Sequence, residues 1–491
     1  MKDKRIVSNA LMSIAQVIVS ALVFFFLYKF LIQTLGPAKV GIWSLILAST
    51  SASQIANLGL SGSVVKFVAK YLARDEPETV SKLLQTTFLT VAVLMAGILL
   101  LFYPISIYII GFLIEAPLLP EATPLIPMAL VSVWLMALSV ISNGGLDGLQ
   151  KIDTRSSLQM VGNIFYAALC FVLVKQYGLI GIAYANIIQY VVVLLVSYSL
   201  LRRAVQLPLI PHQWDASLFK EMLSYGVNIQ VTNIATMLFD PITKALLSHF
   251  GSLSLVGFYE MANKLVTQLR SLIVAANAVL VPVVANLNEK EPERINKLYI
   301  DSFRAIFFLS VPAYSLLIVS VPFISQIWIG HYEAEFVQCA LFLSVLWFFN
   351  TLTVPAYFIY QGIGDLRWNT LSHILIAVLN LIFGIVFGKV WGGTGILTSW
   401  FLAASLGSLV SPFAYHIYHR YPFTKLWTFH DIILFFSAVT ALALCAAINI
   451  IYSGHTIMWL FIVNGALLIV FLAIPLWTHP MRSRLISYIL R

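Results

Sequence analysis

Five charged residues lie inside stretches of the sequence that are otherwise apolar, and four of them form two pairs at helical spacing. Asp240 precedes Lys244 by four residues and Glu260 precedes Lys264 by four, which is the order that favours an ion pair along one helix. Arg270 has no acidic residue three or four positions away on either side. We predict that Arg270, Lys264 and Lys244 contact an anionic group and that Asp240 or Glu260 binds a coupling proton or sodium ion. Mutual neutralisation within each pair is the alternative explanation.

Uncharged polar residues and a further lysine accompany these charges in the apolar stretches. Asn233 and Asn263 lie in the same two stretches as the ion pairs, and Gln16 and Asn57 lie in the first and second stretches of the chain. Because such residues need polar partners or water, we expect these four helices to line a polar cavity. Helix packing through Ser, Thr and Asn is the competing explanation. Lys29 is a weaker candidate, since it lies close to the predicted outer surface, which its long side chain can reach.

The apolar stretches that carry these residues predict an all-α membrane protein. The chain of 491 residues is 60% apolar and 10% charged, and its mean hydropathy is +0.92, outside the range of soluble domains. The stretches exceed the roughly 20 residues that a helix needs to cross the hydrocarbon core of a membrane. About fourteen transmembrane helices are predicted on this basis.

The basic residues predict the orientation of these helices. Most of the 29 Lys and Arg residues fall in loops on one side if both termini are cytoplasmic, as the positive-inside rule requires. The net charge of +9 then reflects topology and affinity for anionic lipid headgroups, so we expect no nucleic-acid partner. The expected location is the cytoplasmic (inner) membrane. The three cysteines all lie in apolar stretches and indicate neither a disulfide framework nor a metal site.

One charged phrase occurs twice and indicates an internal duplication. RDEPETVSKL begins at Arg74 and EKEPERINKL begins at Glu289. Other matches recur in the same order at an offset of 214 to 215 residues, among them the Gly-x-x-Gly-Ile sequences that begin at Gly178 and Gly392. A series of matches at nearly constant offset is typical of a repeated structural unit.

The duplication predicts how the chain is divided. Residues 1–207 and 216–423 are expected to form two six-helix bundles, joined by a Pro-containing linker around Leu207 to Trp214. Because each bundle holds an even number of helices, both start on the cytoplasmic side and the repeats are parallel. Residues 424–491 add two transmembrane helices and a cytoplasmic tail. Such an architecture is typical of transporters with a central cavity between the halves.

Motifs for energy conversion or catalysis are missing from the sequence. No Gly-rich loop ends in Gly-Lys-Ser/Thr, so we do not expect ATP hydrolysis by this chain. The predicted outer loops are short and carry no catalytic constellation, so we expect neither an enzyme nor a cofactor beyond a coupling ion. His416, His419 and His430 fall on the predicted cytoplasmic side, where a solvated loop is the expected environment.

Three segments resemble those of one transporter family. They are LGPAKVGIWSL from Leu35, NLGLSGSVVKFVAKY from Asn57 and FGSLSLVGFYEMANKLV from Phe250. Together with the length and the predicted helix number, they are similar to the Wzx-type oligosaccharide flippases. These form the polysaccharide transporter branch of the multidrug/oligosaccharidyl-lipid/polysaccharide (MOP) exporter superfamily. Relatives often carry an acidic residue where this chain has Asn57, so no ionic role is assigned to that position.

The resemblance implies a cavity that opens alternately to each side of the membrane. The implied cargo is an oligosaccharide on a polyprenyl diphosphate, moved to the outer leaflet for cell-surface polysaccharide biosynthesis such as that of O-antigen. Four basic residues against two acidic ones leave two positive charges in the predicted helices, which suit a diphosphate: Lys29, Lys244, Lys264 and Arg270 against Asp240 and Glu260. Membrane lipids, and possible contacts with a polysaccharide polymerase and glycosyltransferases, complete the implied partners.

Other functions remain open at this point. A multidrug or small-molecule antiporter of the same superfamily would more typically have 12 helices and favour cationic cargo. A flippase for the peptidoglycan lipid precursor would share the helix number but normally carry more arginines in its cavity. A scaffold or a membrane biosynthetic enzyme is disfavoured by the repeat symmetry and by the missing catalytic residues.

Overall fold

The predicted all-α class is correct. The computed structural model describes residues 2–51, 60–223, 238–275, 280–452 and 454–489, and the regular structure in these ranges is helical. Ten helical segments in this part of the chain are long and apolar enough to cross a membrane. One of them, Arg367–Tyr418, extends over 52 residues, is interrupted by non-helical backbone at Gly392 and contains two of the predicted transmembrane segments. The total of about fourteen stays a prediction, because gaps between the described ranges interrupt three others.

The chain divides into two compact units, Met1–Gly257 and Phe258–Arg491. This division follows contacts within the chain and does not test the boundaries predicted at residues 207 and 216. The helices of unit 1 are α1 Lys2–Leu35, α2 Pro37–Ser51, α3 Leu60–Ala73, α4 Pro77–Leu113, α5 Leu125–Gly148, α6 Ile152–Tyr177, α7 Leu179–Val205 and α8 Phe239–Phe250, followed by the start of α9 Leu253–Ala275.

Unit 2 contains the rest of α9 and the C-terminal helices. These are α10 Leu280–Lys290, α11 Glu293–Ile329, α12 Ala334–Ile363, α13 Arg367–Ser408, α14 Val410–Tyr418, α15 Phe429–Ile451, α16 Ile457–Thr478 and α17 Pro480–Ile489. Helix α11 packs against α12, α15 and α16. A buried core that includes Phe307, Val311, Leu434 and Leu468 joins them. The two helices predicted after the second bundle are therefore an integral part of unit 2.

The two Gly-x-x-Gly-Ile sequences fold in the same way in the two units. Gly178 has φ 59° and ψ −132°, and Gly392 has φ 60° and ψ −137°, a conformation that residues with a Cβ rarely adopt. Three residues later, a Cβ on Gly181 would overlap the carbonyl oxygen of Leu173, and one on Gly395 would overlap that of Phe387. Both carbonyls lie eight residues before the glycine. The sequence repeat is therefore also a repeat of backbone structure.

The repeated charged phrase begins an equivalent helix in each unit. Helix α4 starts at Pro77 and α11 starts directly after Pro292, and each is 37 residues long. Proline suits this position because the first helical N–H groups have no intrahelical acceptor. An acidic residue lies in the first turn of each helix, Glu78 in α4 and Glu293 in α11, where the helix dipole favours a negative charge.

Two glycines allow α2 and the start of α9 to cross at backbone contact within unit 1. A Cβ on Gly41 would overlap the carbonyl oxygen of Leu253, and a Cβ on Gly257 would overlap that of Pro37. The glycines lie in LGPAKVGIWSL and FGSLSLVGFYEM, two of the segments that carry the family resemblance. Small residues at such crossings are a common means of packing membrane helices.

Hydrogen bonds hold the segment after α7 against α4. The backbone N–H groups of His212 and Gln213 both donate to Gln85 Oε1 at 3.2 Å. Trp214 Nε1 donates to Thr90 Oγ1 at 3.0 Å, and the backbone N–H of Asp215 donates to Thr86 Oγ1 at 3.1 Å. The segment predicted as the linker between the bundles therefore follows the surface of α4.

The loop after α14 is held in a similar way in unit 2. Arg304 on α11 donates from Nε to the carbonyl oxygen of Leu426 at 3.1 Å and from Nη2 to that of Lys425 at 2.9 Å. Since α4 and α11 are equivalent helices of the two repeats, each repeat uses this helix to hold the segment that leaves it.

Candidate functional site

Arg270 lies in a polar and aromatic cluster inside unit 2. It is a half-buried residue of α9, and its Nη2 donates to Asn350 Oδ1 of α12 at 2.9 Å. Its guanidinium carbon lies 4.8 Å from the centre of the Trp347 ring. Trp347 precedes Asn350 on α12 by about one helical turn. Among the described residues, Arg270 Nε has no hydrogen-bond acceptor. The group that accepts from Arg270 is thus an uncharged amide.

Aromatic residues of α11, α12 and α13 form the rest of this cluster. Tyr314, Tyr357 and His373 all lie close enough to Arg270 for electrostatic interaction. The hydroxyl of Tyr314 lies 3.1 Å from Thr351 Oγ1, and the rings of Tyr357 and His373 are 5.7 Å apart. We call this group the arginine cluster, comprising Arg270, Tyr314, Trp347, Asn350, Tyr357 and His373.

The electrostatics of the arginine cluster favour an anion. In the part of the chain that the structure describes, Arg270 has no carboxylate within ion-pair distance. A guanidinium next to an aromatic ring gains cation–π attraction without losing its charge. Its five N–H donors suit carboxylate and phosphate oxygens. The cluster therefore suits an anionic group, and binding of such a group by Arg270 stays a prediction.

Other predicted site residues lie on the same helix as Arg270. Glu260 Oε1 and Lys264 Nζ are 3.7 Å apart, so the predicted pair forms as an electrostatic contact longer than a hydrogen bond. The Glu260 side chain is 10% exposed and that of Lys264 is 42% exposed. Asn263 is half-buried, and its Oδ1 has no hydrogen-bond partner among the described residues. From Glu260 to Arg270 these side chains extend over about 15 Å of α9.

The second predicted ion pair forms in unit 1. Asp240 Oδ2 and Lys244 Nζ are paired on α8, four residues apart as expected. The Lys244 side chain is 6% exposed, whereas that of Asp240 is 41% exposed. The pair explains how Lys244 is tolerated in an apolar helix. A role in ion coupling or cargo binding stays a prediction for both residues.

One polar residue of the first helix packs against other helices, which is the competing explanation for polar residues in the apolar stretches. Asn163 Nδ2 on α6 donates to Ser20 Oγ on α1 at 2.8 Å, and Gln189 Nε2 on α7 donates to Asn163 Oδ1 at 3.4 Å. All three side chains are buried, so this contact joins helices. Gln16 and Lys29 are half-buried on the same helix, and their cavity roles stay predictions. Asn57 and Asn233 lie outside the described residues.

Several residues of the arginine cluster were not singled out by the sequence. Asn350 and His373 carry a usable signal, because each is a polar residue in an apolar stretch. Trp347 and Tyr357 carry none, since aromatic residues are common in membrane helices of every kind. Only the spatial arrangement identifies them as neighbours of Arg270.

The expected solvation of His416 is wrong. His416 is 3% exposed, its Nε2 lies 3.1 Å from the hydroxyl of Tyr299, and its Nδ1 lies 2.6 Å from the carbonyl oxygen of Tyr421. The chain after α14 turns back over the helix end and covers the ring. His419 is exposed and His430 is half-buried.

Comparison with known proteins identifies the family. The family described as "Polysaccharide biosynthesis protein" matches residues 6–288, which is more than half of the chain. The chain belongs to this family. A "Putative O-antigen transporter" of Shigella flexneri is 23% identical over 406 residues, covering 79% of this chain and 92% of that protein.

Solved transporter structures share the fold. "Lipid II flippase MurJ, inward closed conformation" matches with a TM-score of 0.70 and 15% identity, over 98% of this chain and 100% of that one. An inward-facing multidrug resistance MATE family transporter of the MOP superfamily matches with a TM-score of 0.71 and 14% identity, over 83% and 98%. The protein is thus a multi-pass membrane protein with the fold of these transporters, and the relatives named here are transporters and not enzymes.

Proposed function

We propose that the protein is a flippase for a lipid-linked oligosaccharide. It moves an oligosaccharide on a polyprenyl diphosphate from the cytoplasmic to the outer leaflet of the inner membrane by alternating access, with both termini in the cytoplasm. The family assignment to polysaccharide biosynthesis, the relative named as an O-antigen transporter and the transporter fold support this proposal.

The observation that carries the proposal is the environment of Arg270. Its Nη2 contacts an amide, and its Nε has no acceptor among the described residues, so N–H donors remain for phosphate oxygens. Each charge-assisted hydrogen bond to the diphosphate would contribute about 1.5–3 kcal/mol. A cationic drug would gain nothing from this arginine, which favours the oligosaccharide lipid over a typical multidrug substrate.

Lys264 and Glu260 supply a mechanism for coupling in the same proposal. Glu260 lies 3.7 Å from Lys264, and protonation of the carboxylate or its occupation by a sodium ion would weaken this attraction. Lys264, whose side chain is 42% exposed, would then interact more strongly with the anionic cargo, together with Arg270. Asp240 and Lys244 form a second pair of the same type in unit 1, with Lys244 as a further predicted contact.

The experiment that tests the proposal measures in which leaflet the cargo accumulates. Lipid-extracted glycans from cells with and without the protein are analysed by mass spectrometry after treatment of spheroplasts with an impermeant sugar-oxidising reagent. The proposal predicts a lipid-linked oligosaccharide that accumulates in protected form when the protein is absent and becomes accessible when it is restored.

Two other results would replace the proposal. If the protected intermediate is the peptidoglycan lipid precursor, the protein is a flippase of the MurJ type. If no lipid-linked intermediate changes but sensitivity to small toxic compounds does, the antiporter function is correct.

A further inference from the structure

A cavity of about 390 Å³ lies between α11, α15 and α16 in unit 2. It is separate from the arginine cluster, since none of the residues that line it belongs to that cluster. Its volume is within the range of about 300–1,000 Å³ that is usual for small-ligand pockets. The cavity lies where α15 ends and α16 begins, which is the outer side in the predicted orientation.

The cavity combines an apolar floor with uncharged polar groups. Phe323 and Phe461 line it with rings stacked 4.4 Å apart. Tyr332 and His455, both exposed, also line it. None of the ten residues described as lining it is Asp, Glu, Lys or Arg. It therefore lacks a lysine or arginine that would pair with the phosphate of a phospholipid.

A pair of asparagines provides the hydrogen-bonding centre of the cavity. Asn464 Nδ2 on α16 donates to Asn449 Oδ1 on α15 at 2.7 Å, which leaves the amide hydrogens of Asn449 as donors. Asn464 is only 3% exposed, and its Oδ1 has no hydrogen-bond partner among the described residues. That oxygen is itself buried, so the polar group of the pair that remains for a ligand oxygen in the cavity is the amide of the half-buried Asn449.

We propose that this cavity is a binding site for an uncharged hydroxylated ligand, namely a sugar residue. A sugar presents hydroxyl groups to the asparagine pair and C–H groups to aromatic rings such as Phe461. Two sources supply this chemistry: the headgroup of an outer-leaflet glycolipid and a free saccharide chain. The proposal concerns binding only and stands apart from the transport proposal.

The test compares two photoreactive probes with the same diazirine-bearing octyl chain. One carries a glucose headgroup and the other carries phosphocholine, and each is added below its critical micelle concentration to the full-length protein in phosphatidylcholine nanodiscs. Labelled peptides are located by mass spectrometry. We expect the glucoside to label the cavity-lining parts of α11, α15 and α16 at about tenfold lower concentration than the phosphocholine probe.

Two variants and one control decide whether the cavity is responsible. Asn464→Leu removes the donor that orients the amide of Asn449, and Leu460→Trp fills the cavity while keeping both asparagines; each should lower glucoside labelling about tenfold. Asn380→Leu changes a buried asparagine elsewhere in unit 2 and should leave labelling unchanged. Equal labelling by the two probes, or full labelling of Leu460→Trp, would overturn the proposal.

Competition identifies the source of the sugar. Loss of glucoside labelling in excess maltotriose would indicate that the site binds a free saccharide chain. Competition by unlabelled octyl glucoside alone would indicate a glycolipid headgroup. Both results support a sugar site, whereas equal competition by octyl phosphocholine would contradict it.

Discussion

Two polar clusters in the apolar interior differ in what they leave available to a ligand. In unit 1, Ser20, Asn163 and Gln189 form a neutral chain of hydrogen bonds between α1, α6 and α7. In unit 2, Arg270 contacts Asn350 and Trp347 and keeps a charge that no described carboxylate neutralises. Packing of the three helices accounts for the polar side chains of the first cluster. The second keeps an N–H donor without an acceptor among the described residues, which is why we propose that it binds the cargo.

The backbone of the two repeats differs much less than these side chains. Gly178 and Gly392 have nearly the same φ and ψ, and α4 and α11 have the same length. A duplicated scaffold thus carries different polar groups in its two copies. The scaffold should not tolerate an added Cβ at Gly181 or Gly395. The polar groups, in contrast, should divide into those that stabilise the fold and those that bind the cargo.

The largest effect is expected from filling the glycine contacts. In Gly395→Ala and Gly181→Ala the new Cβ would overlap a backbone carbonyl oxygen, and overpacking of this kind typically costs about 1–3 kcal/mol or more. Both variants should give strongly reduced yields of monodisperse protein in fluorescence-detected size-exclusion chromatography. Gly97→Ala and Gly465→Ala are the controls, since no atom lies within 4 Å of the added Cβ. Wild-type yield of only one of the two test variants would show that the repeats are not structurally equivalent.

Loss of the amide that orients Arg270 should reduce transport. Asn350→Leu removes the acceptor at 2.9 Å, and a hydrogen bond to a charged group is worth about 1.5–3 kcal/mol. We expect the initial transport rate in proteoliposomes to fall about tenfold or more. Asn163→Leu is the matched variant in unit 1 and should keep its rate per folded molecule. Equal losses in both variants would remove the distinction between the clusters.

Substitutions in the hydrogen-bonded cluster of Ser20, Asn163 and Gln189 should lower the stability of the fold and not the transport rate. Ser20→Ala leaves Asn163 Nδ2 without its acceptor, which costs about 1–3 kcal/mol for a buried donor. The midpoint of thermal unfolding in detergent should fall, while the transport rate of the folded protein stays the same. Ser199→Ala, at an exposed position of α7, is the control for a serine substitution. A lower transport rate of Ser20→Ala with an unchanged midpoint of unfolding would indicate that Ser20 contacts the cargo.

The smallest effect is expected from a surface ion pair in unit 1. Glu221 accepts from Lys70 Nζ and from the Tyr71 hydroxyl, both at 2.6 Å. Partial burial opposes ionisation of Glu221, but these hydrogen bonds outweigh it and hold its pKa below the usual value. A lowered carboxyl pKa stabilises the fold at pH values above about 4.3, the usual pKa of glutamate, and this contribution is lost as the pH falls through the lowered pKa.

The measurement is a pH series of thermal unfolding with wild type and Glu221→Gln. The difference in midpoint should be small at pH 7 and should shrink further as the pH is lowered below about 4.3. Glu115→Gln, at an exposed position, is the control. A difference that grows as the pH falls would show that the carboxylate does not stabilise this segment.

The sequence predicts the fold class and the repeated glycines because both depend on local rules. Long apolar stretches must be helical in a membrane, and Gly178 and Gly392 occupy a backbone conformation that other residues avoid. Arg270 could be singled out as a candidate for a similar reason, since a charge in an apolar stretch is costly wherever it lies. Its partners Asn350 and Trp347 come from α12, about 80 residues later, and no local pattern places them beside it. The burial of His416 likewise depends on the loop that follows α14.

The most direct test of the role of Arg270 is the initial rate at which proteoliposomes expose a lipid-linked oligosaccharide to an impermeant reagent. Arg270→Gln should lower this rate about tenfold or more at equal amounts of folded protein, because the cation for the diphosphate is lost. Arg270→Lys should retain part of the rate, since it keeps the charge but not the planar group of donors. A wild-type rate for Arg270→Gln would contradict the assignment of the cargo diphosphate to the arginine cluster.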